Sequence, residues 1–205
     1  MPVEKLTPAR RRQQTRDALI AAATEVFARR GFEGAALEEI AETAGFTRGA
    51  IYKNFDGKED LFFAVADRLN EQIIEAFRAI APAAAGDAAW DISRLADLWR
   101  ASVSDFPDLF AIGKEYELYV LRNPDARPRA VAHHRKQCDL VAAFIDEVAE
   151  QSGMTLRLPA PTLAAIILAA ADGLTYSARI DGNDLFAPFL ELLNAGMIAD
   201  RPEHR

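Results

Sequence analysis

Cysteine is almost absent from this 205-residue chain: Cys138 stands alone, so no disulfide can close within it and a reducing compartment suits it. Long apolar runs are absent too. The longest, residues 163–171, is stopped by Asp172 and is too short to span a bilayer. Residues 1–16 contain no apolar run, so no signal peptide is expected and the protein reads as cytoplasmic, with no membrane partner. There is no Gly-rich phosphate loop, nucleophile elbow or HExxH pattern, so neither enzyme chemistry nor a cofactor or metal is expected. An excess of basic charge is also missing. The net charge of −7 argues against a general nucleic-acid coat protein.

What is present is unevenly distributed. Half of the residues are apolar, enough for an ample core. Residues 1–60 hold ten basic and ten acidic residues and are neutral, so the rest carries the whole −7. The first sixteen residues contain Lys5, Arg10, Arg11, Arg12 and Arg16 against Glu4 alone. Such an arm suits phosphate contacts; the alternative is a solvated tail.

Apolar residues recur at helical spacing nearly everywhere, so the fold class is all-α with about nine helices. The expected spans are 8–30 or 11–30, 37–44, 48–55, 58–80, 88–104, 107–122, 126–152, 162–180 and 185–198. Gly31 stops the first helix, PAAAG at 82–86 breaks after the fourth, and residues 154–161 form a linker with two prolines. The expected domains are a three-helix head at 1–57 and a helical body at 58–205.

The segment 41–61, AETAGFTRGAIYKNFDGKEDL, is the most informative. Gly45 can take φ > 0 in a tight turn between two helices. Thr47 can cap the second helix. Ile51 and Phe55 face one way and leave Tyr52, Lys53 and Asn54 outward. This is a helix-turn-helix at about residues 36–55, whose second helix lies in the major groove of DNA. The segment resembles the DNA-binding domain of the TetR family of transcriptional repressors. The matching residues are Ala21 through Phe27, Arg30-Gly31-Phe32, Leu37, Ile40-Ala41, Ala44-Gly45, Thr47, Gly49, Ile51-Tyr52, Phe55, Lys58 and Leu61. The GxxYxxFxxKxxL string after RRGF is the specific part. The match covers about a quarter of the chain.

The residues themselves suggest a contact map. Gly49 and Ala50 are small enough for close approach, and Ala50 could touch a thymine methyl. Lys53 could donate to guanine or to a phosphate. Thr47, Arg48, Tyr52 and Lys58 suit phosphate oxygens, and Arg16 ends the basic arm. The resemblance implies backbone contacts at Thr47, Tyr52 and Lys58 and base-facing positions at Ala50 and Lys53. Packing at the edge of the head is the alternative for Tyr52, and a solvated lysine the alternative for Lys58. Relatives usually carry Thr or Ser before the second helix, whereas this chain has Ala35-Ala36. The missing cap costs about 0.5–2 kcal/mol and removes a phosphate contact.

One head makes few contacts. Two heads about 34–36 Å apart would read a palindrome on double-stranded DNA, which requires a homodimer. The expected eighth and ninth helices are apolar on several faces, and Leu163, Ile167, Leu174, Ala178, Phe186, Phe189 and Leu193 are the candidate interface residues. The alternative is a monomer core. The body is rich in aromatics, including Trp90 and Phe106; such stripes are usually ordinary core but could also line an apolar pocket, and the resemblance implies a small-molecule effector there. Candidate pocket residues are Trp99, Phe110, Glu115, Tyr116, Tyr119, His134, Cys138 and Tyr176. His134 reads first as a core histidine, then as a pocket group, last as a metal ligand. Asp172 needs a partner such as Arg122 if buried. The function expected is a ligand-released repressor. An all-helical enzyme using Glu115, His134 and Asp172, or an effector-free interaction module, stands as the alternative.

Overall fold

The computed structural model describes residues 7–80, 96–101, 107–153 and 155–197. The first six residues with Lys5, the expected break at 82–86, and Trp90 and Phe106 lie outside these, as does much of the expected fifth helix. The described helices are α1 (Pro8–Gly34), α2 (Leu37–Thr43), α3 (Arg48–Tyr52), α4 (Lys58–Ile80), α5 (Pro107–Arg122), α6 (Arg127–Ser152), α7 (Ala160–Ile180) and α8 (Phe186–Met197). Residues 96–101 are also helical, and a 3-10 turn, Pro124–Ala126, precedes α6. No β-strand occurs among the described residues, so the class is all-α as expected.

The chain divides into two compact units, Met1–Leu69 with Pro107–Arg127, and Asn70–Phe106 with Pro128–Arg205. The division therefore falls inside α4 rather than at residue 57, and α5 joins the head. Aromatic packing is the reason. The stripe of α1 (Leu19, Ala23, Val26, Phe27) is fully buried, and so is Phe32 beyond it. Phe32 packs against Phe62 of α4 at 5.2 Å and against Tyr116 of α5 at 5.0 Å between ring centroids. Tyr116 of α5 is itself buried against these rings, so α5 closes the head's core.

Gly31 has φ 71 and breaks α1, but one further turn follows it. The first amides of a turn that starts afresh need partners from outside it. The Glu115 carboxylate accepts the Phe32 amide at 2.8 Å and supplies a partner. The positive φ favours glycine here, and a Cβ at residue 31 would also force the Glu115 carboxylate to shift.

The second unit has its core where α6 meets α7: Ala142 and Ile145 against Ala160, Leu163 and Ala164. Trp99 stacks on Phe186 at 4.5 Å, nearly parallel. Arg78 of α4 pairs with Glu147 of α6 at 3.0 Å. Asp172 does not stop α7, because a single polar residue on an exposed face leaves helical bonding intact. The helix runs 21 residues and is long and apolar enough to cross a membrane by length and composition. Asp172 and Arg122 are both exposed, so the burial that would have called for a partner is absent.

Candidate nucleic-acid interface

The turn between α2 and α3 is built by backbone hydrogen bonds. Gly45, at φ 74, donates its amide to Glu42 at 3.0 Å, and Phe46 donates to Ala41 at 2.8 Å. This is the Schellman pairing that ends a helix on a left-handed glycine. Thr47 then has the extended backbone of a cap residue, but its hydroxyl makes no capping hydrogen bond. Its carbonyl accepts the Ala50 amide at 2.8 Å and starts the helix without it. The hydroxyl expected to cap the helix is left exposed at its mouth.

Helical bonding continues past the five residues of α3, since the Phe55 amide reaches the Ile51 carbonyl at 2.8 Å. Ile51 is 0% exposed and Phe55 3%. The opposite edge is bare: Tyr52 is 52% exposed, and Thr47, Arg48, Gly49 and Lys53 are exposed as well. Ala50 is half-buried. Arg48 donates to the Tyr52 hydroxyl at 2.9 Å and pairs with Glu38 of α2. The phenol first, and then the Glu38 charge, hold its guanidinium above its ordinary range. An outward arginine and tyrosine, one turn apart and bonded together, form a donor-rich edge suited to phosphate oxygens.

Three expected contacts are placed differently. Asn54 is half-buried and turns back, its Nδ2 donating to the Ala50 carbonyl at 2.8 Å. Lys58 donates its ammonium to the Glu33 and Ala35 carbonyls at 3.0 and 3.2 Å and lies 5.0 Å from the centre of the Phe32 ring. Burial lowers its pKa. It thus caps the end of α1, where a cation opposes the helix dipole. Arg16 donates to the Asn54 carbonyl at 2.8 Å and covers the Phe55 ring at 4.3 Å. In all three the polar head reaches carbonyls exposed by a nearby helix end. Arg12, read only as part of the arm, donates to the Lys53 carbonyl at 3.3 Å. The four-residue spacing of Arg12 and Arg16 puts both on one face of α1, and that was the signal available in the sequence. A hollow of about 500 Å³ lies beside them, lined by Arg11, Arg12, Thr15, Phe46, Ala50, Lys53 and Asn54.

The effector candidates are not gathered in one unit. Phe110, Glu115, Tyr116 and Tyr119 belong to the head, whereas Trp99, His134, Cys138 and Tyr176 belong to the other unit. Glu115 bonds Phe32, Tyr116 is buried among aromatic rings, and Tyr119 donates to Glu59 at 3.0 Å. These residues complete the head's core instead of lining a pocket in the body. His134 is exposed, contrary to a core histidine, with its Nε2 3.6 Å from the Cys138 sulfur. Trp99 lies against Phe186, and Tyr176 is 54% exposed.

The dimer candidates are also redistributed. Leu163 and Phe186 are buried within the chain itself, at 2% and 4% exposure. Ile167, Leu174, Ala178, Phe189 and Leu193 are half-buried. The open face of α7 instead carries Ile166, Ala169, Gly173, Tyr176 and Ile180, three or four residues apart. On α8 it carries Pro188, Leu192 and Ala195, with Leu192 73% exposed.

Comparison with known proteins agrees with this geometry. Residues 19–65 match the domain described as bacterial regulatory proteins, tetR family. The HTH-type transcriptional regulator TtgR of Pseudomonas putida is 48% identical over 59 residues, 29% of this chain and 28% of that protein. The HTH-type transcriptional repressor BepR of Brucella suis is 47% identical over 55 residues, 27% of this chain and 26% of that protein. The chain thus aligns with little more than a quarter of either relative's length. The crystal structure of a TetR-family transcriptional regulator from Pectobacterium atrosepticum is similar over 95% of this chain and 99% of its own, with 26% identity and a TM-score of 0.59. Residues 19–65, the helix-turn-helix unit of the head, thus match the DNA-binding domain of the tetR family of bacterial regulatory proteins.

Proposed function

We propose that the protein is a homodimeric DNA-binding transcriptional regulator, a repressor that leaves a palindromic operator when a small apolar or amphipathic effector binds. One observation carries the DNA-binding reading: α3 buries Ile51 and Phe55 while Thr47, Arg48, Gly49, Tyr52 and Lys53 stay open to solvent. The similarity to a transcriptional repressor over the head supports the same reading. The enzyme alternative is weakened because Glu115 is engaged within the head, where its carboxylate accepts the Phe32 amide. A gel shift with DNA flanking the protein's own gene, titrated with salt, tests it. Affinity should fall steeply, with a log–log slope of about −0.9 for each phosphate neutralised. Absent or salt-independent binding would overturn it.

The second copy is assigned to the open faces of α7 and α8. An apolar stripe with Ala169 and Gly173 at its middle allows close helix approach, and a two-fold axis would pair it with itself. Asp172 and Arg179 lie on the same helix, which favours a protein partner over lipid. Ile166 is 43% exposed and sits in this stripe. Ile166→Asp places a carboxylate in the interface twice, and burying an unpaired charge is costly. Sedimentation velocity at micromolar concentration should show the wild type as a dimer and the variant as a monomer. A variant that stays dimeric removes this interface.

Effector release is placed in the second unit, with Trp99, His134, Cys138 and Tyr176 the remaining candidates. α4 supplies its first half to the head and its second half to that unit, so a ligand favouring one tilt of α4 would move α3. A hundredfold loss of operator affinity needs about 2.7 kcal/mol of preference between the two tilts.

A further inference from the structure

We infer that Arg16 is a positioning residue for α3 and not a contact to DNA, an inference that rests on the DNA-binding reading above. A helix as short as α3 cannot hold its shape alone, because nucleation costs more than its few hydrogen bonds return. Its last carbonyls also need donors from elsewhere. Arg16 supplies one: its Nη1 donates to the Asn54 carbonyl at 2.8 Å. The same guanidinium lies 4.3 Å from the centre of the Phe55 ring, and that ring is 3% exposed. One planar cation therefore grips the end of α3 twice, through a carbonyl and through an aromatic face anchored in the core. Arg12, one turn earlier on α1, adds a longer bond to the Lys53 carbonyl at 3.3 Å. Both arginines reach across about forty residues of sequence, so they fix α3 to α1. The charge is also suited to its place, since a helix C-terminus attracts cations.

The grip bears directly on recognition. Tyr52 and Lys53 immediately precede Asn54, so a shift of that end displaces the side chains expected at the DNA. Lysine cannot replace arginine here, because an ammonium lacks the planar fork that bonds a carbonyl while stacking on a ring.

The test compares Arg16→Ala and Arg16→Lys with the wild type, both on the flanking DNA and in the free full-length protein. Operator affinity should fall at least tenfold in both variants, with the salt slope unchanged. Without DNA, hydrogen exchange of the Asn54 and Phe55 amides should quicken at least tenfold in both, while the amides of α1 keep their protection. Kept α1 protection shows that the head still folds. Two results overturn the assignment. One is a salt slope shallower by about 0.9 per head in Arg16→Ala together with rescue by Arg16→Lys, the mark of a phosphate contact. The other is unchanged exchange at Asn54 and Phe55. Failure of the wild type to bind DNA would instead defeat the functional reading, and the exchange measurement would still decide the role of Arg16.

Discussion

Phe32→Ala should destabilise the head by about 3–5 kcal/mol, the range for truncating a buried aromatic. Phe32 is 1% exposed. Its ring meets Phe27 at 6.1 Å, Phe62 at 5.2 Å, Tyr116 at 5.0 Å and Tyr119 at 5.3 Å, so three helices lose contact at once. The Lys58 ammonium over its face loses a further cation–π contact, worth about 0.5–2 kcal/mol. The backbone bond to Glu115 survives, because alanine keeps the amide. The loss is therefore one of packing. Against a typical total of about 5–15 kcal/mol, it is enough to melt a marginal domain. Urea unfolding should show a lower midpoint, and Phe32→Leu, which keeps much of the volume, should lie between the two. A loss below about 1 kcal/mol would mean that these rings are not the head's core.

The architecture was legible in the sequence because it rests on periodicity and on glycines with one evident use. Gly45 marked the turn, and Ile51 and Phe55 marked the inner edge of α3. Apolar patterning cannot say which neighbour a face will cover. The stripe on α5 read as a pocket lining, yet Tyr116 and Tyr119 pack on Phe32 of the head. On α7 and α8 both helices were recognised but their faces were mixed: Leu163 and Phe186 are buried within the chain, while Ile166 and Leu192 stay outside. A helix apolar on every side gives pattern alone no means of choosing. Long cations were the hardest to place. Arg16 and Lys58 were read as phosphate donors from their type, but each ends on a backbone carbonyl 23 to 38 residues away in sequence. Only the fold brings such carbonyls within reach. Thr47 shows the converse: its backbone starts α3 without its hydroxyl, so the residue read for its capping chemistry leaves that group exposed.

Replacing Tyr52 and Lys53 together by alanine should remove operator binding while leaving the fold intact. Both residues are exposed, and exposed substitutions usually change stability by less than about 0.5 kcal/mol, so the melting temperature should hold. On the proposed DNA-binding reading their part in binding is far larger. A lysine on a base edge contributes about 1–3 kcal/mol, and a tyrosine hydroxyl on a phosphate about 1 kcal/mol. In a two-headed complex each loss counts twice, giving about 4–8 kcal/mol, or roughly a thousandfold or more in affinity. Removing the phenol also frees Arg48 from one of its two partners, leaving the Glu38 pairing. The single Lys53→Ala variant separates the two roles open to that side chain. If Lys53 meets phosphate, affinity falls alike on all sequences and the salt slope becomes shallower by about 1 per head. If it reads guanine, the slope holds and discrimination against one substituted base pair relaxes instead. Operator binding retained by the double variant would take the bare edge of α3 out of recognition altogether.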